Sequence, residues 1–192
     1  MITKFTRRSA ISAGVAAAAA AWAQPASAST KQNYRVPTEL MPRMVTVRED
    51  FRPGEIHVDP YRYWLYWVTG EGIAIRYAVG VARASLYEPG TYTIGAKREW
   101  PSWRPTDEMI EREPHKYKKF EEGVPGGPDN PLGARALYLF EGRRDTYLRI
   151  HGTPQPWTIG SSRSNGCVRL VNGHVKHLYD LVPKGATVVL HG

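Results

Sequence analysis

The sequence has very little cysteine, since Cys167 is the only one among 192 residues. One cysteine cannot form a disulfide within the chain, so it is a small buried apolar residue, a partner for another chain or a reactive thiol. Long apolar stretches are also missing. The longest, residues 11–23, has thirteen mostly alanine residues, whereas a transmembrane helix needs roughly 20. We therefore expect no transmembrane segment in the mature protein.

Long runs of basic residues are absent too, although 26 Lys and Arg outnumber 18 Asp and Glu. No basic run is longer than two residues and no nucleic-acid motif is present, which argues against a nucleic-acid partner. The charge excess suits an anionic cell envelope or serves solubility alone. His174 and His177 lie three apart, but no carboxylate or thiol is placed to complete a metal shell. We place them on a helix surface and predict neither metal nor cofactor.

The N-terminus has the pattern of a secretory signal at residues 1–28. A basic start containing Arg7 and Arg8 precedes the alanine-rich stretch, and Ala26-Ser27-Ala28 offers a cleavage site. Cleavage there would remove three positive charges, so the formal charge of +8 would fall to +5. The paired arginines are typical of twin-arginine export and also occur in ordinary signals, so the export route stays open. We predict a protein of the periplasm or cell envelope.

The residues that carry chemistry lie between positions 148 and 172. His151 ends one strand-like segment, and Cys167 begins another sixteen residues later. The loop between them is rich in Gly, Pro, Ser and Asn, which allow the backbone to reverse. This loop is expected to bring Cys167 beside His151 at neighbouring strand ends. An imidazole near a thiol can generate the thiolate nucleophile.

The motifs of this stretch resemble the L,D-transpeptidase (YkuD-type) catalytic domain. They read H-G-T at 151–153, I-G at 159–160 and S-x-G-C-x-R-x-x-N at 164–172. Many members carry His where this chain has Asn165, so we assign the role of base to His151 alone. The resemblance extends from about Pro53 to the C-terminus. It includes P-G-T-Y-T-I at 89–94 and G-G-P-D-N-P-L-G at 126–133.

The residues of this stretch predict a thioester mechanism, in which Cys167 attacks an acyl carbonyl and His151 takes and later returns the proton. The resemblance implies that the backbone carbonyl of Gly152 holds the imidazole. The backbone N–H groups around Asn165 and Cys167 are candidates for the oxyanion hole.

Three further residues complete the predicted site. Gly166 lets the substrate approach the backbone closely, because it has no side chain. Arg169 shares a strand face with the thiol and either binds a substrate carboxylate or forms a surface ion pair. Ser164 either braces the loop or bonds to substrate.

The resemblance implies peptidoglycan as the substrate. The donor would be a tetrapeptide stem, cut between its third residue and D-Ala, and the acceptor would be the side-chain amine of another stem, giving a 3→3 cross-link. Other members attach an envelope protein to the stem or use water and act as L,D-carboxypeptidases. A wall-binding module without catalysis is a rival, although binding needs no thiol. A redox-sensing thiol is a third interpretation, and it lacks a resolving cysteine.

The pattern of the chain predicts a mainly β fold, a β-sandwich of short mixed strands with one helix near the C-terminus. Residues 29–52 are expected to form a linker or arm, and residues 53–192 the catalytic domain. The proline-rich segment 97–134 is predicted to be a lid insertion, in which Thr106 caps a short helix. Asn172 is predicted to cap the C-terminal helix.

Strands are predicted where β-branched and aromatic residues alternate. The intervals are 44–47, 55–68, 73–81, 91–94, 134–140, 147–150, 167–171 and 187–190.

Overall fold

The architecture of residues 34–192 is mainly β, as a computed structural model of the chain describes it. The predicted signal at residues 1–28 lies outside the described residues. The strands of this part are β1 Arg43–Thr46, β2 Glu55–Asp59, β3 Trp64–Gly70, β4 Ile73–Ala78, β5 Val81–Ala82, β6 Gly90–Glu99, β7 Arg135–Glu141, β8 Arg144–His151, β9 Ser162–Ser164, β10 Val168–Arg169 and β11 Thr187–Leu190.

The strands hydrogen-bond into one mixed nine-stranded sheet with the order β1-β4-β3-β2-β11-β6-β7-β8-β10. Strands β5 and β9 form a separate parallel pair. The last strand, β11, is parallel to β2 on one side and antiparallel to β6 on the other. The predicted mainly β class with short mixed strands is therefore confirmed.

Several strand predictions need correction. The interval 73–81 is too long, since β4 ends at Ala78 and Val81 begins β5 of the separate pair. The interval 91–94 is too short, since β6 continues to Glu99 and takes in the first three residues of the predicted insertion 97–134.

The interval 55–68 contains two strands, because the chain reverses at residues 60–63 and β3 returns antiparallel to β2. Tyr63 in this turn has φ 59°, a conformation that an aromatic residue rarely adopts and that composition does not reveal. The interval 167–171 is also too long, since β10 covers only Val168–Arg169.

Three α-helices occur in the described part, α1 Asp107–Arg112, α2 Pro114–Tyr117 and α3 Asn172–Leu181. The predicted cap of α1 is confirmed, because Thr106 accepts a hydrogen bond from the Met109 N–H. α3 packs on β7 and β8 with Val175 and Leu178 fully buried. No helix of residues 34–192 is long and apolar enough to cross a membrane.

One of the two histidines of α3 differs from the prediction, which placed both on the helix surface. His177 is exposed, as predicted, and its ring shares a hydrogen bond of 2.8 Å with the Tyr77 hydroxyl. His174 is buried, with 7% of its surface exposed, because polar type alone did not show which face α3 turns to the core. No group of potential metal ligands forms within residues 34–192.

The insertion between β6 and β7 has its own closed base and a small aromatic core. The Trp100 N–H donates to the Ala134 carbonyl at 2.9 Å where the insertion leaves and rejoins the domain, and Trp103 and Val124 exchange two backbone hydrogen bonds, of 2.9 and 2.6 Å, within it. The indole of Trp103 makes edge contacts with the rings of Tyr117 and Phe120. The side-chain amide of buried Asn130 donates to the carbonyls of Val124 and Pro125, and its Oδ1 accepts from the Leu132 N–H, so it connects the segments before and after it. The insertion is thus a folded element.

Candidate active site

The predicted site begins with the parallel pairing of β10 and β8. Val168 lies opposite Ile150, and Arg169 lies opposite His151. Cys167 precedes β10, two residues before Arg169, so strand alternation gives it the same face as Arg169 and His151. The loop between His151 and Cys167 therefore reverses and returns the chain to the neighbouring strand position.

The His151 imidazole has one defined tautomer. Nδ1 lies 2.6 Å from the Gly152 carbonyl oxygen, and because a carbonyl only accepts, Nδ1 carries the proton and Nε2 is left as the proton acceptor. The ring is 5% exposed, and this burial lowers its pKa to about 4, with the hydrogen bond to Gly152 opposing the shift. The imidazole is neutral at pH 7 and suited to accept a proton.

Cys167 carries a free, half-buried thiol. Sγ lies 3.8 Å from the Tyr147 carbonyl oxygen, to which it donates. Burial raises the pKa of this thiol, although a backbone bond from Arg149 and the charges of Arg149 and Arg169 oppose the rise. The thiol is therefore protonated at pH 7, and the neutral imidazole of His151 belongs to the neighbouring strand.

Arg169 lies beside this pair with an incompletely bonded guanidinium. Its Nε and one Nη are buried and have no hydrogen-bond partner within residues 34–192. The backbone of Arg169 exchanges two hydrogen bonds with Gly80, and a side chain at position 80 would press on the guanidinium at 3.3 Å. Burial lowers the pKa of Arg169, and the Cys167 thiolate would raise it. The group is held as an unpaired cation near the thiol.

The three residues before Cys167 have separate roles. Ser164 is buried, and its hydroxyl donates to the Cys167 carbonyl oxygen, so it braces the loop. Gly166 has φ +125°, and a side chain there would meet Leu148 at 3.1 Å. Glycine is therefore required at this position. The Asn165 side chain bonds to the insertion, as described below.

Asn172 does not cap α3, which corrects the prediction. Val171 is the N-cap, and the Asn172 Oδ1 accepts from the Ala134 N–H at 2.9 Å. This oxygen also occupies the space that a side chain at Gly133 or Gly152 would need. Because Gly152 orients His151, Asn172 fixes the start of α3 against the segment that holds the imidazole.

Arg149 is a site residue that the sequence reasoning missed. It is buried, forms an ion pair with Asp145 at 2.7 Å and lies over the Tyr138 ring at 3.9 Å. Its charge lowers the pKa of both Cys167 and His151. Its position two residues before His151 was a signal, since alternation gives both residues one strand face.

The comparisons with known proteins agree with this arrangement. The family model for the L,D-transpeptidase catalytic domain, YkuD, matches residues 53–190. The chain belongs to this family. The match ends at the last strand and contains the His151–Cys167 stretch.

Curated relatives carry the same family name. The probable L,D-transpeptidase ErfK/SrfK of Escherichia coli is 31% identical over 151 residues, covering 77% of this chain and 47% of that protein. The probable L,D-transpeptidase YbiS of E. coli is 35% identical over 125 residues, covering 64% and 39%. The chain thus spans about half or less of the length of these relatives.

Solved structures share the fold. A Brucella melitensis protein described as a probable carnitine operon oxidoreductase is 51% identical with a TM-score of 0.56, covering 80% of this chain and 94% of that one. That description concerns the Brucella protein, and the family membership stated above rests on the domain match and the curated relatives. An Enterococcus faecium L,D-transpeptidase mutant is 14% identical with a TM-score of 0.55, covering 72% and 50%. At that identity the likeness shows the fold alone.

Proposed function

We propose that this chain is an exported cysteine L,D-transpeptidase that acts on peptidoglycan stem peptides in the periplasm or cell envelope. The observation that carries the proposal is the defined tautomer of His151 on the strand next to Cys167. A neutral imidazole whose Nε2 carries no proton is the base that a neutral thiol requires. The family membership supplies the substrate class.

In the first half-reaction Cys167 Sγ attacks the carbonyl between the third stem residue and D-Ala. The S–C bond forms as the thiol proton moves to His151 Nε2, and the oxyanion accepts bonds from backbone N–H groups around Asn165–Cys167. The C–N bond then breaks, and D-Ala leaves with the proton from His151. Gly166 leaves the oxyanion space open. The products are the thioester and free D-Ala.

In the second half-reaction an amine replaces the thiol. His151 takes a proton from the incoming amine, which attacks the thioester carbonyl, and Cys167 leaves and regains its proton. The acceptor is a second stem, giving a 3→3 cross-link, or an amine of an envelope protein. The unpaired guanidinium of Arg169 is suited to bind a carboxylate of the donor and to stabilise the thiolate that departs.

The folded insertion favours transfer over hydrolysis. A transferase must shelter its thioester from water until the acceptor arrives. The Trp103–Val124 backbone bonds and the packed ring of Tyr117 order the insertion, and the Tyr117 hydroxyl accepts a hydrogen bond from Asn165, two residues before Cys167. These contacts support a sheltering role, because they fix the insertion to the loop that carries the proposed nucleophile.

The decisive experiment is mass spectrometry of the mature protein incubated with tetrapeptide stems. We expect one acyl adduct on Cys167 and, with a suitable amine, more amine-exchanged product than tripeptide. Alkylation should give a single adduct and end activity, and a carbapenem should acylate the same thiol. Cys167→Ser should fold and form no thioester.

Two results would contradict the proposal. Turnover by Cys167→Ala at the wild-type rate would remove the nucleophile. Tripeptide as the main product at saturating amine would make the protein an L,D-carboxypeptidase.

A further inference from the structure

A charged cluster connects the insertion to the loop that carries the nucleophile, and we call it the Asn165 cluster. Its members are Arg83 after β5, Arg112 at the end of α1, Glu113, Tyr117 and Asn165. The Asn165 Oδ1 accepts from Arg83 at 2.5 Å and from Arg112 at 3.2 Å. The Asn165 Nδ2 donates to the Tyr117 hydroxyl at 2.6 Å. One amide thus joins two elements of the insertion to the domain.

The cluster holds more positive charge than it neutralises. Arg83 and Arg112 approach the same neutral oxygen, and their bonds of 2.5 and 3.2 Å bring the two guanidinium groups close together. Arg83 has one carboxylate partner, Glu113, at 3.1 Å. Arg112 forms no ion pair within 4.0 Å among residues 34–192, although its charge acts on Glu108 and Glu113, and its side chain is exposed. With Glu113 paired to Arg83, the two arginines still carry one positive charge more than the cluster neutralises, and both donate to an uncharged oxygen that an anion can replace.

The two arginines belong to different parts of the molecule. The Arg83 N–H donates to the Ser164 carbonyl at 3.1 Å, beside the β5–β9 pair, so Arg83 is part of the domain. Arg112 belongs to the insertion. An anion between them would hold the insertion and the domain together.

The position of the Asn165 cluster indicates which anion it binds. Asn165 precedes Cys167 by two residues, so the cluster is anchored to the loop that carries the thiol. In the donor of the proposed function, the amide nitrogen and one Cα separate the scissile carbonyl from the free carboxylate of the leaving residue. We propose that Arg83 and Arg112 form a carboxylate subsite of the donor stem peptide, occupied by the C-terminal carboxylate of the leaving D-amino acid.

Asn165 makes the subsite available in this chain. The amide oxygen holds the arginines in place without neutralising them, and a carboxylate can displace it because a charged acceptor forms the stronger bond. A histidine at this position would present a ring nitrogen with one acceptor at most. The subsite therefore favours a stem that ends at the fourth residue over a longer or amidated stem.

The proposal rests on the proposed function, and a binding experiment separates the two. The full mature Cys167→Ser protein is titrated calorimetrically with a tetrapeptide stem that has either a free or an amidated C-terminus. We expect the acid to bind at least about tenfold more tightly than the amide. The preference should decrease as salt is raised, because exposed charges are screened.

Substitutions test which residues cause the preference for the free C-terminal acid. Arg112→Gln is expected to reduce the acid preference to below about threefold, and Arg83→Gln to reduce it similarly. Lys118→Gln, which removes an exposed charge of the insertion outside the cluster, should leave the preference unchanged. Because the readout is a ratio of two ligands, a general loosening of the insertion does not produce the expected result.

The outcomes are distinct. Equal binding of acid and amide, or full preference in Arg112→Gln, would overturn the subsite. The side-chain carboxylate of the third stem residue could occupy the same subsite, and a stem in which that group is amidated tests this. If that change alone abolishes the arginine-dependent preference, the subsite holds the third residue's carboxylate. The Cys167→Ser protein could prefer the acid while the wild-type protein forms no thioester. That result would refute the proposed function and would still support the subsite.

Discussion

His151 sets the expected pH dependence of the reaction. The imidazole must be neutral to act as a base, and burial lowers its pKa from 6.5 to about 4. The neutral form exists above that pKa, so activity should be lost as pH falls through about 4. We expect the acid limb of kcat/KM near pH 4, measured by release of D-Ala.

A limb between pH 6 and 7 would contradict the buried neutral imidazole. Acid unfolding is a separate cause of lost activity, and a control identifies it. Protein held at each pH and returned to pH 7 before the assay should recover its activity if the limb reports titration of His151.

Asn172 is expected to act as a positioning residue. Asn172→Ala removes the bond to the Ala134 N–H and leaves a gap against Gly152, so unfolding free energy should fall by about 1–3 kcal/mol. Since Gly152 orients His151, kcat should fall more than KM rises. Asn172→Asp retains the acceptor oxygen and should recover most of the activity. Unchanged kcat in Asn172→Ala would assign the residue a structural role only.

Single residues show what the sequence could predict about the site. Cys167, His151 and Gly152 were predicted because a motif and a spacing identified them, and the structure places them on adjoining segments. Arg83 gave no signal, since it meets Asn165 across 82 residues without a local pattern. Such contacts depend on tertiary geometry, which neither periodicity nor composition describes.

Among the elements, the insertion carries the next prediction. Replacing residues 104–123 with a two-residue Asn-Gly turn would preserve the backbone pairing of Trp103 with Val124. We expect this variant to fold, and its product ratio should shift from amine-exchanged product toward tripeptide because water reaches the thioester. Mass spectrometry at several acceptor concentrations measures the ratio.

A matched variant distinguishes the effect of removing the insertion from the effect of changing its charge. Glu122→Gln keeps the whole insertion and should retain the wild-type product ratio. An unchanged ratio in the shortened protein, with normal thioester formation, would mean that the insertion does not shelter the intermediate.

The local sequence pattern predicted the helices and strands better than it predicted the order of the strands in the sheet. The α1 cap and the last strand follow from Thr106 and from the residues of β11, and both are confirmed. The placement of β11 between β2 and β6 could not be predicted, because it depends on pairs more than 90 residues apart. The turn at Tyr63 was missed because its positive φ is imposed by its surroundings.

The whole molecule should be sensitive to acid, because three buried histidines are held neutral. Burial is the main cause that lowers the pKa values of His57, His151 and His174 below 6.5. Their folded-state pKa values are depressed, so the unfolded chain binds more protons as pH falls below about 6.5. The contribution of these three groups to stability is therefore complete above that pH and decreases as pH falls below it, for His151 down to its folded-state pKa of about 4.

Urea unfolding at pH 7.5 and pH 5 measures this effect, with a lower midpoint expected at pH 5. His57→Gln should reduce the difference between the two midpoints, since one titrating group is removed. Equal midpoints in the wild-type protein would show that these rings do not titrate on unfolding.

The position of β11 has a consequence for synthesis of the chain. Residues 187–190 lie in the interior of the nine-stranded sheet and join the part containing β2 to the part containing β6. The two parts cannot join until residues 187–190 have been translated and have left the ribosome. A nascent chain that ends before residue 187 therefore holds both parts without the strand that connects them. A premature stop at codon 187 would remove this strand and divide the sheet in two.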